Sequence, residues 1–225
     1  MRYGEKNCAI TGVGISEVSR GSAKSSLELT VDAALDAIAD AGLKRSDIDG
    51  IATWPGGDGN ASGFSPVWIG QLQDALRLKL NWYSNGGESP GQYGAVFNAI
   101  GAINAGLARH VLIYRSMYEA SARKHAFANS LVKVGERQRG GSAWYAPYHV
   151  HAAALQQSLY FNAYVHKSGI RPEQQAMIAI NQRRNAGMNP HAIYRDPITL
   201  DDYMASPRIA GPLRIYDCDV PIDGS

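Results

Sequence analysis

The chain contains little cysteine. Only Cys8 and Cys218 occur among its 225 residues, and they stand far apart in the sequence. Neither belongs to a metal-binding spacing, and two distant thiols do not make a disulfide scaffold. The scarcity excludes the small disulfide-rich secreted domains, predicts a reduced compartment and gives no sign of a metal site.

Long apolar runs and runs of one charge are also missing. No stretch approaches the roughly 20 apolar residues that a membrane-spanning helix needs. The amino terminus has no apolar signal-peptide core, and the net formal charge is only +2. A nucleic-acid-binding protein usually shows a basic patch, which this sequence lacks. We therefore expect a cytoplasmic globular protein that binds neither membranes nor nucleic acid.

What the sequence does have is a regular alternation of apolar segments. Strand-like runs at 7–12, 51–54, 78–83 and 110–115 alternate with helical periodicity at 25–41, 66–78 and 91–107. Ser25 and Glu28 form a capping box, and Gly42 ends that helix. The alternation predicts an α/β fold with a largely parallel sheet. Gly12-Val13-Gly14 is interpreted as the end of the first strand, because a dinucleotide fingerprint needs a third glycine and a following helix.

The turn before the third helix is the first candidate site. It contains Gly86 and Gly87, followed by Ser89 as a predicted N-cap and Pro90 as the first helical residue. Glycines permit a sharp turn, and a helix start carries partial positive charge. The turn therefore favours an anion or a developing oxyanion, although an ordinary strand–helix connection fits the same residues.

A second candidate lies in the stretch 116–147, which is predicted to be irregular. Arg123 and Lys124 belong to a set of basic residues there, close in sequence to several aromatic residues. One interpretation is a solvated loop. The other is a lid or cationic surface for an anionic ligand such as a nucleotide diphosphate.

Tyr148, His149 and His151 follow that stretch. On a strand the two histidines would share one face, but no acidic residue stands nearby to complete a zinc site. Further on, helices are predicted at 152–167, 171–186 and 199–204, and a strand is predicted at 213–218.

Three passages together resemble the thiolase superfamily. They are 27–50, which contains AALDAIADAGL, 86–107 around the glycine turn, and 169–224, which contains GIRPEQ, SPRIAGPL and DCDVPIDG. Within the superfamily the chain is most similar to the thiolase-like domain of sterol carrier protein X and to bacterial lipid-transfer-protein aldolases. The third passage is the most specific, because plain thiolases match it less well.

The resemblance implies an α/β fold of two similar βαβαβαββ halves stacked in αβαβα layers, usually in a homodimer. Residues 1–225 resemble the first half, with a loop and helical insertion at about 116–212, and the second half is not in this sequence. In such a fold the helix at 91–107, rich in glycine and alanine, would pack against its counterpart from the second half.

One departure from thiolases matters for the chemistry. Thiolases carry a nucleophilic cysteine at the turn before the central helix, and alignment on Gly91 puts that position at Glu88, or at Gly87 after a shift of one. Neither can form an acyl-enzyme. The resemblance to lipid-transfer-protein aldolases implies retro-aldol cleavage of a β-hydroxyacyl-CoA, such as a steroid side-chain thioester, to a ketone and a shorter acyl-CoA. It implies no cofactor beyond the coenzyme A of the substrate, and a partner subunit with an OB fold.

These considerations define the candidate residues. Backbone N–H groups at the turn would hold an enolate, and Glu88 is either a base or a favourable charge at a helix start. An alternative is a non-catalytic thiolase-like subunit that binds lipid or acyl-CoA or acts as a scaffold. The candidate catalytic residues are Gly86, Gly87, Glu88, Tyr148 and His149, and the candidate substrate contacts are Arg123, Lys124 and His151.

Overall fold

The computed structural model describes residues 4–54, 63–85, 91–128, 144, 146–148, 150 and 153–225. The chain divides into two compact units. The first unit comprises Met1–Ser130 and Pro221–Ser225, and the second comprises Leu131–Val220. No helix in these described ranges combines the length and apolarity needed to cross a membrane.

A three-stranded parallel sheet forms the centre of the first unit. Its strands are β1 (Gly50–Thr53), β2 (Trp82–Asn85) and β3 (Val111–Tyr114), in the order β2-β1-β3. Gly50 aligns with Trp82 on one side and with Val111 on the other. Every residue of β1 is buried, as expected of a central strand covered on both faces. The predicted α/β alternation with a parallel sheet is confirmed.

The described part of the first unit contains four helices, of which the first three were predicted from the sequence. They are α1 (Ser26–Asp40), α2 (Ile69–Leu76), α3 (Gln92–Asn104) and α4 (Glu119–Ala128). The capping box of α1 forms as predicted, and Gly42 ends the helix with φ +67°. The core holds Ala34, Ile38, Ile48, Ile51, Val67, Ile69, Leu72, Leu76, Leu78, Leu112 and Tyr114.

Helix α3 buries only a narrow alanine face. Ala95, Ala99 and Ala102 are buried, whereas Tyr93 is 71% and Phe97 60% exposed. A methyl group added at Gly101 would meet no atom within 4 Å. The side of α3 that carries Gly101 is therefore open among the described residues, and packing of the helix against a second half stays a prediction.

A short antiparallel pair completes the first unit. Strand β4 (Met117–Tyr118) pairs with β7 (Asp223–Gly224). Asp223 is fully buried, and its carboxylate accepts hydrogen bonds from Ser22 N at 2.9 Å and from Ser121 N and Oγ at 3.1 and 2.7 Å. This carboxylate fixes the end of the chain to the first unit.

The second unit is built mainly from helices. It contains α5 (Ala153–Ser168), α6 (Pro172–Met188) and α7 (Leu200–Ala205), with the antiparallel strands β5 (Arg208–Ala210) and β6 (Leu213–Arg214). Tyr203 is fully buried, and its hydroxyl donates to the Asp217 carboxylate at 2.8–2.9 Å. Burial first, and then the Asp217 carboxylate, raise the pKa of Tyr203, so this hydroxyl stays protonated and structural.

Several predicted elements were wrong. No strand forms at 7–12; Ala9 and Ile10 are exposed, and the segment packs on α1 without a strand partner. The predicted strand at 213–218 ends at Arg214 and becomes a 3-10 turn at Ile215–Asp217. The stretch 116–147 is not uniformly irregular, because it begins with β4 and α4. The N-cap of α3 is Gly91, two residues after the predicted Ser89, which lies outside the described residues.

Candidate active site

The carboxyl ends of the three parallel strands meet at one edge of the sheet. Trp54 directly follows β1, Asn85 ends β2 and Arg115 directly follows β3. In open α/β sheets, ligands bind at this edge. In the sequence, the predicted turn with Gly86, Gly87 and Glu88 stands between Asn85 and Gly91. Those three residues lie outside the described part of the structure.

Gly91 fixes how the chain enters α3. Its backbone has φ 69° and ψ −131°, a region that essentially only glycine adopts. A methyl group placed on Gly91 would lie 3.8 Å from the Trp54 ring. Trp54 therefore lines the start of α3, where the helix carries its partial positive charge.

A charged and aromatic cluster occupies the same edge. The rings of Trp54 and Phe64 meet edge to face, with centroids 6.2 Å apart. Arg115 Cζ lies 4.2 Å from the Phe64 centroid and 5.1 Å from the Trp54 centroid. Arg115 Nη2 also donates to Phe64 O at 3.2 Å. Cation–π contacts and this hydrogen bond hold a permanent positive charge at the edge.

Buried hydrogen bonds hold the backbone next to the residues of this cluster. Thr53 Oγ1 donates to Tyr114 O at 3.0 Å, and Tyr114 Oη donates to Val67 O at 3.0 Å. Burial raises the pKa of Tyr114. This tyrosine therefore stays neutral and serves the scaffold. Gly63, at φ +73°, lies so close to Tyr118 that a methyl group would come within 2.4 Å of its carbonyl oxygen, which fixes the backbone next to Phe64.

Of the other predicted site residues, only Arg123 and Tyr148 have described side chains. Arg123 is exposed on α4. Lys124 lies on the same helix, and its side chain is outside the description. Tyr148 is 77% exposed in a 3-10 turn, Ala146–Tyr148, of the second unit. His149 and His151 lie outside the described residues. The roles of these five residues stay predictions.

The two cysteines lie in different units. Asn104, the last residue of α3, donates to Cys8 Sγ at 3.7 Å. At 1.5 Å rise per residue, that end of the helix is about 18 Å from its start. Cys218 belongs to the second unit. Burial, followed by Asp217 and Asp219, raises its pKa, which disfavours a thiolate. Cys8 is therefore not placed to act as a nucleophile at the start of α3.

The sequence interpretation missed Trp54, Phe64 and Arg115. A signal for two of them was present, because Trp54 and Arg115 stand at the ends of strands that were predicted. Phe64 gave none, since its position depends on a loop conformation. Among the residues that the structure describes, no group of three or more His, Cys, Asp or Glu could hold a metal ion.

Comparison with known proteins finds several similar relatives, two of which match almost the whole chain. No model of a known protein family matches the chain. A steroid side-chain-cleaving aldolase of Thermomonospora curvata is 32% identical over 219 residues, covering 96% of this chain and 54% of the relative. A 17-hydroxy-3-oxo-4-pregnene-20-carboxyl-CoA lyase of Mycobacterium tuberculosis is 30% identical over 220 residues, covering 96% of this chain and 55% of the relative.

Comparison with solved structures finds another aldolase and a thiolase-like protein. An Ltp2–ChsH2(DUF35) aldolase matches with a TM-score of 0.78 and 31% identity, over 96% of this chain and 53% of the other. A monomeric SCP2-thiolase-like protein of Mycobacterium smegmatis matches with a TM-score of 0.56 and 20% identity, over 86% of this chain and 38% of the other. The predicted α/β thiolase-like fold is confirmed.

The chain spans about half the length of the curated relatives that it matches. Over that span the comparisons support the predicted relationship to thiolase-like lipid-transfer proteins. That the chain is the amino-terminal half of such a protein, with an insertion at about 116–212, stays a prediction.

Proposed function

We propose that this protein forms part of a carbon–carbon lyase that cleaves a β-hydroxyacyl-CoA by a retro-aldol reaction, with a steroid or lipid side chain as the acyl group. One observation carries the proposal. A chain similar over 96% of its length to proteins named aldolase and CoA lyase has no cysteine in residues 86–91, which lead into α3. Covalent acyl transfer at this turn therefore lacks its nucleophile.

The proposed reaction needs a base, an acid and a site for an anion. The base removes the proton of the β-hydroxyl group, the Cα–Cβ bond breaks, and the hydroxyl carbon becomes a ketone. The electron pair passes to the thioester as an enolate, which is then protonated at Cα. Backbone N–H groups of Gly86 and Gly87 and the start of α3 would stabilise the enolate oxygen, as oxyanion donors do.

The described residues would supply a positive charge close to this anion and an apolar surface for the acyl group. The Arg115 guanidinium charge lies at the same edge, held by Phe64 and Trp54. A fixed positive charge in a partly buried place favours an enolate over its neutral precursor. Trp54 and Phe64 supply apolar surface for a steroid or lipid group. Arg123, Lys124 and His151 are the proposed contacts to coenzyme A.

The proton-transfer groups are proposed from the sequence. Glu88, His149 and Tyr148 are the candidates, and replacing Glu88 with Gln separates its two roles. Loss of a base typically lowers turnover about 100-fold or more, whereas loss of a charge at a helix start costs only about 0.3–1 kcal/mol of stability.

The assembly is part of the same proposal. We propose a cytoplasmic homodimer that works with an OB-fold subunit and needs no cofactor beyond the coenzyme A of its substrate. Support for a partner comes from the similar aldolase structure, which contains Ltp2 and ChsH2(DUF35). The two free cysteines agree with a reducing compartment.

A non-catalytic lipid-binding or scaffold role is the second candidate. It is favoured by the described residues of the edge, because Trp54, Phe64, Asn85, Gly91 and Arg115 include no general base at neutral pH. In that case substrate thioesters would bind without being cleaved.

A panel of β-hydroxyacyl-CoA thioesters separates the two functions. The native assembly, purified with any tightly bound subunit, is incubated with steroid and straight-chain thioesters, and products are identified by mass spectrometry. The lyase releases a ketone and a shorter acyl-CoA in equal amounts. Binding of the thioesters without turnover across the whole panel would support the scaffold function instead.

A further inference from the structure

Asp223 is a fully buried carboxylate that holds separate segments of the first unit together. Its Oδ1 accepts from Ser121 N at 3.1 Å, and its Oδ2 accepts from Ser121 Oγ at 2.7 Å and from Ser22 N at 2.9 Å. Its backbone exchanges two hydrogen bonds with Ser19, at 2.9 and 3.0 Å. Because each carboxylate oxygen accepts from a backbone N–H, the position needs two acceptor atoms, and an asparagine would supply only one.

The carboxylate lies at the start of α4. Glu119 N and Ala120 N donate to Ile222 O at 3.0 and 3.4 Å, so Ile222 and Asp223 together accept from the first three N–H groups of that helix. A negative charge is favourable at a helix start, and a buried carboxylate is costly unless it is hydrogen-bonded. The position of α4 and the burial of Asp223 therefore depend on each other.

The chain between Arg115 and α4 is short. Only Ser116 stands between Arg115 and β4, and α4 begins directly after β4. The Arg115 carbonyl oxygen also accepts from the hydroxyl of Ser225, at 2.7 Å, two residues after Asp223. A shift of the start of α4 relative to Asp223 would therefore move the backbone of Arg115.

Phe64 is joined to the same segment through Gly63. Tyr118 N, in β4, donates to Gly63 O at 2.6 Å. Gly63 also lies against α4, since a methyl group there would come within 2.8 Å of Ala122 Cβ. Both partners of Trp54 in the charged and aromatic cluster are thus held by β4 and the start of α4.

We infer that Asp223 is a positioning residue for the candidate active site, which acts through β4 and the start of α4 on Phe64 and Arg115. It keeps the rings and the guanidinium charge in one arrangement at the carboxyl edge of the sheet. The expected effect on turnover rests on the proposed function, whereas the effect on the cluster needs no reaction.

Fluorine NMR of the full 225-residue chain, labelled with 5-fluorotryptophan, tests the arrangement. Asp223→Asn removes one of the two acceptors at nearly constant shape. We expect the Trp54 resonance to move by more than its line width, while Trp82, at the other end of the sheet, keeps its position. A Trp54→Phe variant assigns the signal. Ser121→Ala, which removes only the hydroxyl bond, should move the Trp54 resonance in the same direction by less.

Asp49→Asn is the matched control. Asp49 also accepts from two backbone N–H groups, those of Arg109 and His110, but at the amino end of the sheet. This variant should lower stability and leave both the Trp54 resonance and the turnover of folded molecules unchanged.

Turnover in the native assembly gives the second measurement. Displacement of a positioned group by about 1 Å can cost roughly 100-fold in rate, so Asp223→Asn should lower kcat by about 10- to 100-fold. KM should change less, because the enolate charge near Arg115 would form only during the reaction. A merely structural role would reduce the amount of folded protein and leave kcat per folded molecule at the wild-type value.

Three results would overturn the inference. The first is a Trp54 resonance that stays in place in folded Asp223→Asn, or in Ser121→Ala where the asparagine variant does not fold. The second is an equal shift in Asp49→Asn, because Trp54 would then report general loosening. The third is a wild-type kcat in an Asp223→Asn protein whose Trp54 resonance has moved. If the wild-type assembly cleaves no thioester, the proposed function fails, whereas a moved Trp54 resonance still supports the positioning of the cluster.

Discussion

The two ends of the parallel sheet are built from different chemistry. At the amino end, Asp49 closes the backbone: its carboxylate accepts from Arg109 N at 2.8 Å and His110 N at 2.9 Å. Its carbonyl accepts from Asn81 N at 2.8 Å. At the carboxyl end, Trp54 and Arg115 meet beside the start of α3. One end uses its polar groups to hold the strands together, and the other places the Arg115 charge beside the start of a helix.

This contrast predicts that substitutions at the two ends act on different quantities. Changes at the carboxyl end should affect turnover more than stability. Changes at the amino end should lower stability and leave the turnover of folded molecules unchanged.

The largest effect is expected for Gly87→Val at the carboxyl end. A branched side chain would block the approach of substrate to the turn and displace the backbone donors. Loss of one oxyanion donor typically lowers turnover by 100- to 1000-fold, so cleavage should fall by about that factor or more. Steady-state cleavage of the best thioester in the native assembly measures this.

Gly70→Ala is the matched control, because a methyl group there meets no atom within 4 Å. It should cleave at the wild-type rate. If Gly87→Val, with a normal unfolding transition, also cleaves at that rate, the catalytic site is not at this turn.

At the amino end, Asp49→Ala should destabilise the chain by about 1–2 kcal/mol, since hydrogen bonds to the carboxylate are lost but partial exposure screens it. Turnover per folded molecule should not change. Urea unfolding and an active-site-normalised rate measure the two quantities. A large loss of turnover at unchanged stability would show that the amino end also acts on turnover, contrary to this expectation.

The Asp49 contribution should also depend on pH. Burial would raise the pKa of Asp49, but hydrogen bonds from the His110 and Arg109 backbone outweigh it and the pKa is lowered. Stability from this group is therefore present above the unfolded pKa of about 4 and is lost as pH falls through the folded pKa. The stability difference between wild type and Asp49→Asn should shrink as unfolding is measured from pH 7 towards pH 3. A difference that grows in acid would contradict the sign of the shift.

A loss of stability of similar size, about 1–3 kcal/mol, is expected for Gly91→Ala. The added methyl group has room, 3.8 Å from Trp54, so the loss would come from the positive φ alone. Thermal unfolding with Gly70→Ala as reference measures it. An unchanged melting temperature would show that the start of α3 relaxes without strain.

The smallest expected effect has the opposite sign. Gly101 lies in the interior of α3, away from both ends of the sheet, with open space around it. Alanine there should stabilise the isolated chain by about 0.5–1 kcal/mol, because glycine weakens helices. If a second half packs on this face, the same variant should weaken that assembly. Unfolding of the isolated chain and of the native assembly gives the two values.

Local patterns predicted most of the first unit. The Ser25–Glu28 capping box, the apolar centre of β3 and the strand–helix alternation all depend on neighbours in sequence, and all are present. The segment at 7–12 was misread because its apolar residues suit a strand, whereas a strand also needs a partner.

The site was only partly predictable. The predicted glycine turn lies outside the described residues. The strand ends that carry Trp54 and Arg115 do follow from sequence. Their meeting with Phe64 depends on a loop in which Gly63 packs on Tyr118, and no local pattern encodes that contact. The cap of α3 was misplaced because Ser89-Pro90 is a good local start signal. In the structure, the backbone geometry of Gly91 determines where the helix begins.

The most direct test of the central claim follows the fate of free coenzyme A during cleavage. The native assembly is given a β-hydroxyacyl-CoA in D₂O with isotopically labelled free coenzyme A, and the shorter acyl-CoA is analysed by mass spectrometry. Retro-aldol cleavage without a covalent intermediate predicts one deuterium at the α-carbon and no labelled coenzyme A in the product. A product that carries the labelled coenzyme A, or an acyl group attached to the protein at residues 86–90, would contradict it.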